Sequence, residues 1–375
     1  MDMKKISIAL IIFLVLNLSC GKNKEKNGKF TCECKKINLI YSKLFEIFKC
    51  RNDSFILKIK IPQNEEKNSY LEEYYILSKS KKNFPIKKVG ITSTTFIGFL
   101  EHINEINSIT MIDNINYYSN KKILDNYNKG KIKEIGNVIS INNVENIIKN
   151  KPDVIFINPN INFREEIIEI LKKSGIEIIK VVEYLEPHPL GRAEWIKFFS
   201  IFYDKLELGQ KIFNLIKKEY EEISLKVKKI NDKEKPKVIV EFPFNGIWYI
   251  PGGNTLTSKL IEDAGGVYIF SNFKTKNFYC LNFEEMYAMA KNADIWLNVG
   301  CKTKKIELIN TEKRIMHFKS FKNNKIYTPS KQGNSNYCLS FFFEEYAANP
   351  HLYIKDLYSI FYNKNDSLFF YINLN

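Results

Sequence analysis

Arginine is nearly missing from this chain. Of 57 basic residues only Arg51, Arg164, Arg192 and Arg314 are arginines. The rest are lysines scattered among asparagine and isoleucine, a pattern of AT-rich codon usage. Basic runs stop at two or three residues, as in Lys79-Ser80-Lys81-Lys82, whereas nucleic-acid binders cluster Arg and Lys on one face. The formal net charge of +15 therefore reads as solvated surface, and no nucleic-acid partner is expected. Histidine is equally scarce. His102, His188, His317 and His351 are far apart in sequence, which argues against a several-histidine site for bare manganese or zinc. The seven cysteines contain no C-x-x-C pair; Cys32-Glu33-Cys34 is C-x-C, so no metal site is expected. No G-x-S-x-G elbow and no H-E-x-x-H motif occurs, and no enzyme is expected. Long apolar runs are absent apart from one at the N-terminus, which excludes a polytopic membrane protein.

What is present suits a large globular chain. There are 375 residues, 45% hydrophobic and 14% aromatic, enough for a sizeable core in one two-lobed domain or two ordinary ones. Lys4 and Lys5 precede an apolar stretch, Ile6 to Leu16, too short to span a bilayer comfortably. Leu16-Asn17-Leu18-Ser19-Cys20-Gly21 follows. This resembles the bacterial lipoprotein signal, in which the cysteine receives the lipid and becomes residue one. Residues 1–19 are then the signal peptide, Cys20 the lipidation site, and 20–43 the lipidated start and tether. Two or more acyl chains give stable attachment. The remaining Cys32, Cys34, Cys50, Cys280, Cys301 and Cys338 suit an exported protein, but spacing does not reveal their pairing.

Periodicity divides the rest. Residues 44 to 77 read as strands: Phe55, Leu57, Ile59 and Ile61 alternate with more polar neighbours until Pro62-Gln63-Asn64 breaks the run, and Tyr70 to Leu77 is a second strand. From residue 86 apolar runs alternate with helical stretches. Ile86 to Ile91, Ser108 to Ile112, Asp153 to Asn158 and Ile176 to Val182 are strand-like, with helices predicted at 95–106, 119–129, 143–150 and 163–174. That is a parallel α/β sheet. Leu208, Ile212, Ile216, Tyr220, Ile223, Val227 and Ile230 then share one helix face, and Pro236 is expected to stop this rod. A second α/β pattern follows: strands at 237–242, 294–299 and 325–328, and helices at 255–264, 282–291 and 350–362. The expected organisation is an N-terminal α/β lobe over 44–202 with a strand-rich lead-in, a linking helix over 203–235 and a C-terminal α/β lobe over 236–375. A weak internal echo joins the lobes. Glu145 and the strand from Asp153 to Asn158 match Glu284 and the strand from Asp294 to Asn298.

Five segments carry a resemblance. They are Ile91-Thr92-Ser93-Thr94-Thr95, Val144-Glu145 through Lys151-Pro152-Asp153, His188-Pro189-Leu190-Gly191-Arg192-Ala193-Glu194-Trp195, Trp248 to Asn254 through Ala264-Gly265-Gly266, and Ala293 to Asn298. Together they resemble the substrate-binding lipoproteins of ABC importers for iron–siderophore, haem and cobalamin, the helical-backbone class of periplasmic binding proteins. The resemblance implies a non-enzymatic monomer with two α/β lobes joined by one long rigid helix, and a ligand cleft between the lobes. It implies an iron chelate, haem or corrinoid as ligand, a permease and its ATPase as partners, a lipid anchor at the extracytoplasmic face of a membrane, and small hinge motion. It also implies that Glu145 and Glu284 meet permease arginines, one on each lobe. As residues alone, both are equally plain helix-start carboxylates favoured by the helix dipole.

A bulky chelate wants aromatic walls and a fixed cation. Trp248 and Tyr249, beside Pro251-Gly252-Gly253-Asn254, are expected at the cleft, with Phe273, Phe278 and Tyr279 nearby. Trp296, within an apolar strand, is a cleft or core residue. Arg192, with Trp195 one turn away, reads as an anion clamp or as a loop-holding partner of Glu186 or Glu194. Thr94 and Thr95 offer hydroxyls for negative ligand groups or serve as helix caps. His188 could touch a chelate or hold its Pro-flanked loop. Exported hydrolase and non-transport lipoprotein are the rival functions.

Overall fold

The structure is a computed structural model that describes residues 34–64, 69–79, 83–136, 141–159, 165–329, 338–364 and 366–374. The signal peptide, Cys20, residues 21–33 and Arg164 lie outside the described residues. Residues 34–43, expected as the end of a tether, are instead structured, with β1 at Lys35–Ile37 and backbone amides of residues 40–43 held by Glu194 and Glu186. The chain divides into two compact units, one of residues 1–38 and 45–84, the other of residues 39–44 and 85–375.

The first unit holds an antiparallel four-stranded meander in the order β1 (Lys35–Ile37), β2 (Phe45–Lys49), β3 (Phe55–Asn64) and β4 (Ser69–Leu77). The alternation works as read: Phe55, Leu57, Ile59 and Ile61 are buried. Outward-pointing Lys58 pairs with Glu72 at 2.7 Å, and Glu46 takes Lys36 at 2.9 Å and Lys60 at 2.7 Å. Cys34 and Cys50 form a disulfide. The expected break at Pro62-Gln63-Asn64 does not occur. The strand runs through Pro62, and a register irregularity between Pro62 and Asn64 absorbs the missing N–H.

In the second unit, the first lobe is a parallel sheet in the order β7-β6-β5-β8-β9. In chain order it comprises β5 (Val89–Ile91), α1 (Phe96–His102), β6 (Ile109–Ile112), α2 (Lys121–Asn128), β7 (Lys133–Glu134), α3 (Ile141–Asn150), β8 (Val154–Ile157), α4 (Glu165–Lys173) and β9 (Glu177–Lys180). The central strands β5 and β8 are wholly buried runs, as strands covered on both faces require. Three helices then carry the chain across: α5 (Pro189–Ala193), α6 (Trp195–Phe202) and α7 (Leu206–Val227). Every residue of α6 is buried, so it is a core helix rather than an amphipathic one. Gly209 lets α7 approach it. A Cβ there would stand 2.8 Å from the Ser200 Cβ.

The rod α7 has 22 residues, about 33 Å at about 1.5 Å each. It ends at Val227, well before Pro236, and Ile230 lies in the turn beyond it. Its buried face includes Phe213, Ile216, Tyr220 and Val227.

The second lobe comprises β10 (Lys237–Val240), β11 (Trp248–Pro251), α8 (Leu256–Asp263), β12 (Val267–Tyr268), β13 (Phe278–Leu281), α9 (Phe283–Ala290), β14 (Ile295–Leu297), α10 (Lys305–Thr311), α11 (Lys319–Lys322), β15 (Ile326–Thr328), α12 (Ser340–Glu345), α13 (Pro350–Phe361) and β16 (Ile372–Asn373). Its sheet runs β12-β10-β14-β15-β16, parallel except for the last strand. The antiparallel edge strand β16 and the two-stranded β11–β13 sheet were not foreseen. Cys301 and Cys338 form a second disulfide, and Cys280 is an exposed thiol.

The echo between the lobes is structural. Asp153 accepts the backbone N–H groups of Lys87 and Lys88 at 2.8 and 3.0 Å, and Asp294 accepts that of Lys237 at 2.8 Å. Each aspartate stands just before the strand that pairs with its lobe's first strand. Thus β5 corresponds to β10, and β8 to β14.

The C-terminal segment crosses between the lobes. Helix α13 packs on α7, α8 and α5, while α12 packs on α1. Gly98 allows the latter contact. A Cβ there would lie 2.8 Å from the Glu344 carbonyl oxygen. Glu344 accepts the N–H groups of Ser119 (2.8 Å) and Asn120 (3.1 Å) and the Ser119 hydroxyl.

Candidate functional site

Open parallel sheets hold ligands outside the carboxyl ends of their strands. In the first lobe, the loop after β5 carries Ser93, Thr94 and Thr95. The Thr95 hydroxyl does not cap α1. It donates to Glu183 at 2.7 Å, with the Ser93 hydroxyl 2.9 Å away. The Thr94 carbonyl accepts from Ile97 N–H at 3.1 Å. Glu183 is buried, and burial raises its carboxyl above the usual range despite Arg192 nearby.

Arg192 lies beyond Glu183 on α5 and is only 4% exposed. One guanidinium nitrogen donates to the Tyr346 hydroxyl at 2.6 Å, the group lies 4.5 Å over the Tyr346 ring, and Nη2 is 3.8 Å from Glu183. Among the described residues, Arg192 Nε and Nη2 and Glu183 Oε2 have no hydrogen-bond partner. Arg192 lines a small pocket with Pro189, Leu256, Leu260, Tyr346 and Pro350. Buried donors without partners are costly, which singles out Arg192 within this region.

The loop-holding role considered for Arg192 belongs instead to its neighbours. Glu194 accepts the backbone N–H groups of Ile40 (2.9 Å), Tyr41 (2.7 Å) and Ser42 (2.8 Å), and Lys197 Nζ at 2.6 Å. Glu186 accepts Lys43 and Leu44 N–H groups at 3.0 Å each, the Ser42 hydroxyl and Trp195 Nε1 at 3.1 Å. Two carboxylates thereby grip five successive backbone amides.

Several expected cleft residues lie elsewhere. Trp195 is fully buried, packed on Phe198 at 4.7 Å and tied to Glu186. Trp248 is fully buried among Phe283, Trp296 and Phe318. In β11, alternation turns Trp248 and Ile250 inward and Tyr249 outward, so a strand rather than a loop positions it. Trp296 is core as well, its Nε1 donating to the Glu241 carbonyl at 2.7 Å. These three indoles do not form a cleft wall. His188 caps α5, its Nδ1 accepting Leu190 N–H at 3.1 Å and its ring 4.8 Å from Tyr41. Burial depresses its pKa.

Tyr249 is 45% exposed, opposite Cys280 in the β11–β13 ladder. Asn254 is exposed, its N–H donating to the Thr275 carbonyl at 3.1 Å. The open aromatic surface of this lobe is Tyr249, Phe278, Tyr279 and Phe244, with Tyr279 stacked on Phe273 at 4.3 Å. Glu145 is exposed on α3. Glu284 is exposed on α9 and paired with Arg314 at 2.8 Å.

Sequence reasoning missed Glu183, Tyr346 and Glu241. Glu241 directly follows β10, and burial alone pushes its carboxyl to about 7. A carboxylate closing an apolar strand was the available signal. Among the described residues, no group of three or more His, Cys, Asp or Glu side chains could hold a metal ion, and no helix is long and apolar enough to cross a membrane.

The fold has counterparts among known proteins. An uncharacterized lipoprotein of Methanocaldococcus jannaschii is 33% identical over 226 residues, 57% of this chain and 52% of its own, so the chain spans about half the length of that relative. A periplasmic solute binding protein from Veillonella parvula superposes with a TM-score of 0.57 at 16% identity, covering 83% of this chain and 88% of its own. A periplasmic heme binding protein of Vibrio cholerae gives 0.56 at 12% identity, covering 74% and 99%. At these identities both structures speak for the fold alone. A family model described as periplasmic binding protein matches residues 91–332, from the end of β5 to beyond β15, and the chain belongs to that family.

Proposed function

We propose that the chain is the extracytoplasmic substrate-binding lipoprotein of an ABC importer, without catalytic activity. It captures an iron chelate, a ferric siderophore or haem, and delivers it to a membrane permease and its ATPase; a cobalamin is the alternative cargo. The observation that carries this reading is Arg192, a buried guanidinium with two nitrogens that have no partner among the described residues, set between Glu183 of the first lobe and Tyr346 of the C-terminal segment beside a small pocket. A buried cation with spare donors suits the carboxylate, catecholate or hydroxamate oxygens of a chelate. Exposed Tyr249, Phe278, Tyr279 and Phe244 supply aromatic surface, and Thr94 and Asn254, in the loops after β5 and β11, offer further polar groups. The lipoprotein relative supports lipidation at Cys20.

Docking on the permease would use Glu145 and Glu284, with a permease arginine displacing Arg314 from Glu284. Purified protein should be melted with ferric siderophores, haem and cobalamin. A ligand at a hundredfold its Kd stabilises by about 2.7 kcal/mol. Failure of all three classes to shift the transition or quench tryptophan fluorescence sinks the reading.

A further inference from the structure

Glu241 departs from its counterpart in the other lobe. In the first lobe, Thr92 follows β5, and its N–H donates to Phe156 of the neighbouring strand at 3.2 Å. In the second lobe, Glu241 follows β10, and its N–H donates to Leu297 of the neighbouring strand at 3.1 Å. The two positions are equivalent, but they are used differently. The Thr92 hydroxyl accepts Asn158 N–H at 3.0 Å, which closes the strand end internally. Glu241 instead adopts a left-handed backbone, φ 68°, an unfavourable state for a long side chain. Trp296 Nε1 holds its carbonyl at 2.7 Å, so the peptide is fixed on both sides. The first lobe closes the equivalent strand end without such a residue, its chain leaving for α1 rather than for β11. A long side chain held in this backbone state is a place to look for function.

The carboxyl itself is unused. Glu183, Glu186, Glu194, Glu344 and Asp356 are buried acids, and each accepts hydrogen bonds. Glu241, partly exposed rather than buried, accepts none among the described residues, and desolvation is the sole cause of its raised pKa. The titratable groups that feel its charge are Tyr268 of β12, Tyr353 of α13 and Tyr371 beside β16. Their hydroxyls are committed elsewhere. Tyr268 donates to the Pro251 carbonyl, and Tyr353 and Tyr371 bond each other, with Tyr371 reaching Asn298 at 2.7 Å. No lysine or arginine figures among these neighbours. Tyr353 also lines the Arg192 pocket, and Glu241 carries the opposite charge to Arg192.

We propose that Glu241 is a specificity-determining residue whose carboxylate receives an ammonium group of the bound chelate, while Arg192 receives its anionic oxygens. This rests on the chelate-binding reading and narrows it to cargo carrying a pendant amine. An arriving ammonium pairs with the ionised form, so binding expels the proton that burial retains near neutral pH.

The test uses the full chain and a matched pair of probes: a ferric tris-hydroxamate with a free terminal ammonium and the same chelate with that amine acetylated. At pH 7.5 the ammonium form should bind at least about tenfold more tightly, which corresponds to about 1.4 kcal/mol. In Glu241→Gln the ratio should fall to about one. Equal affinities in the wild type, or a ratio that survives the substitution, overturn the proposal. A ligand-free measurement guards against misreading. Glu241→Gln should melt above the wild type at pH 8, with the gap closing at pH 5; no gap at pH 8 means the carboxyl is not unpaired, and the proposal falls. If neither chelate binds, the iron-chelate reading fails on its own. Spermidine then decides for Glu241: saturable binding that Glu241→Gln abolishes sustains it, and no binding overturns it.

Discussion

The grip of Glu194 on residues 40–42 can be measured by removing one charge. Its carboxylate is fully buried, accepts three backbone amides and holds Lys197 Nζ at 2.6 Å, with Lys197 itself only 4% exposed. Glu194→Gln preserves shape but leaves the Lys197 ammonium buried beside the Phe213 ring, 4.5 Å away, with no counter-charge. Removing one partner of a buried pair costs about 3–5 kcal/mol. Lys197→Met should cost less, about 1–2 kcal/mol, because Glu194 retains its three amide donors. The double variant should then be less destabilised than the sum of the singles, by about 1–3 kcal/mol. Urea denaturation of the four proteins gives the cycle. Amide exchange at Ile40, Tyr41 and Ser42 should quicken in Glu194→Gln. A cost below about 1 kcal/mol for Glu194→Gln, or additive singles, refutes the reasoning.

Three further outcomes are expected. Gly209→Ala should destabilise by about 1–3 kcal/mol through overpacking against Ser200, outweighing the gain of about 1 kcal/mol in helix propensity; a higher melting temperature would contradict the close approach of α6 and α7. Glu345 is pushed up to about 7 by burial, then by Glu101 and Glu344. A raised carboxyl contributes fully below about pH 4.5, and that contribution is lost as pH rises through 7, so Glu345→Gln should flatten the stability decline between pH 5 and 8, and an unchanged slope would count against it. The Cys280 thiol should react stoichiometrically with a maleimide in the native state; protection until denaturation would disprove its exposure.

Local chemistry wrote much of this fold plainly in the sequence. Short apolar runs became the parallel strands because such strands are covered on both faces, and Asp153 and Asp294 marked matching strand starts because each ties down a neighbouring backbone. The site was less legible because its partners are remote. Tyr346 lies 154 residues from Arg192, and no spacing rule links them. Trp248 was placed in a cleft because its companion strand, Phe278–Leu281, went unrecognised. With the ladder known, the inward Trp248 and outward Tyr249 follow directly. Glu241 was hidden by an apolar strand whose end, not whose pattern, carries the chemistry.

The crossing of α12 and α13 gives the molecule a second strut. Rotating one lobe away from the other must strain α7 and also pull Glu344 from the amides of Ser119 and Asn120. A doubly braced frame resists wide gaping, so distance probes placed on the two lobes should register little on loading. Under the importer role proposed above, a permease that must tell a full carrier from an empty one would have to sense altered loops and rearranged surface charge rather than a large swing.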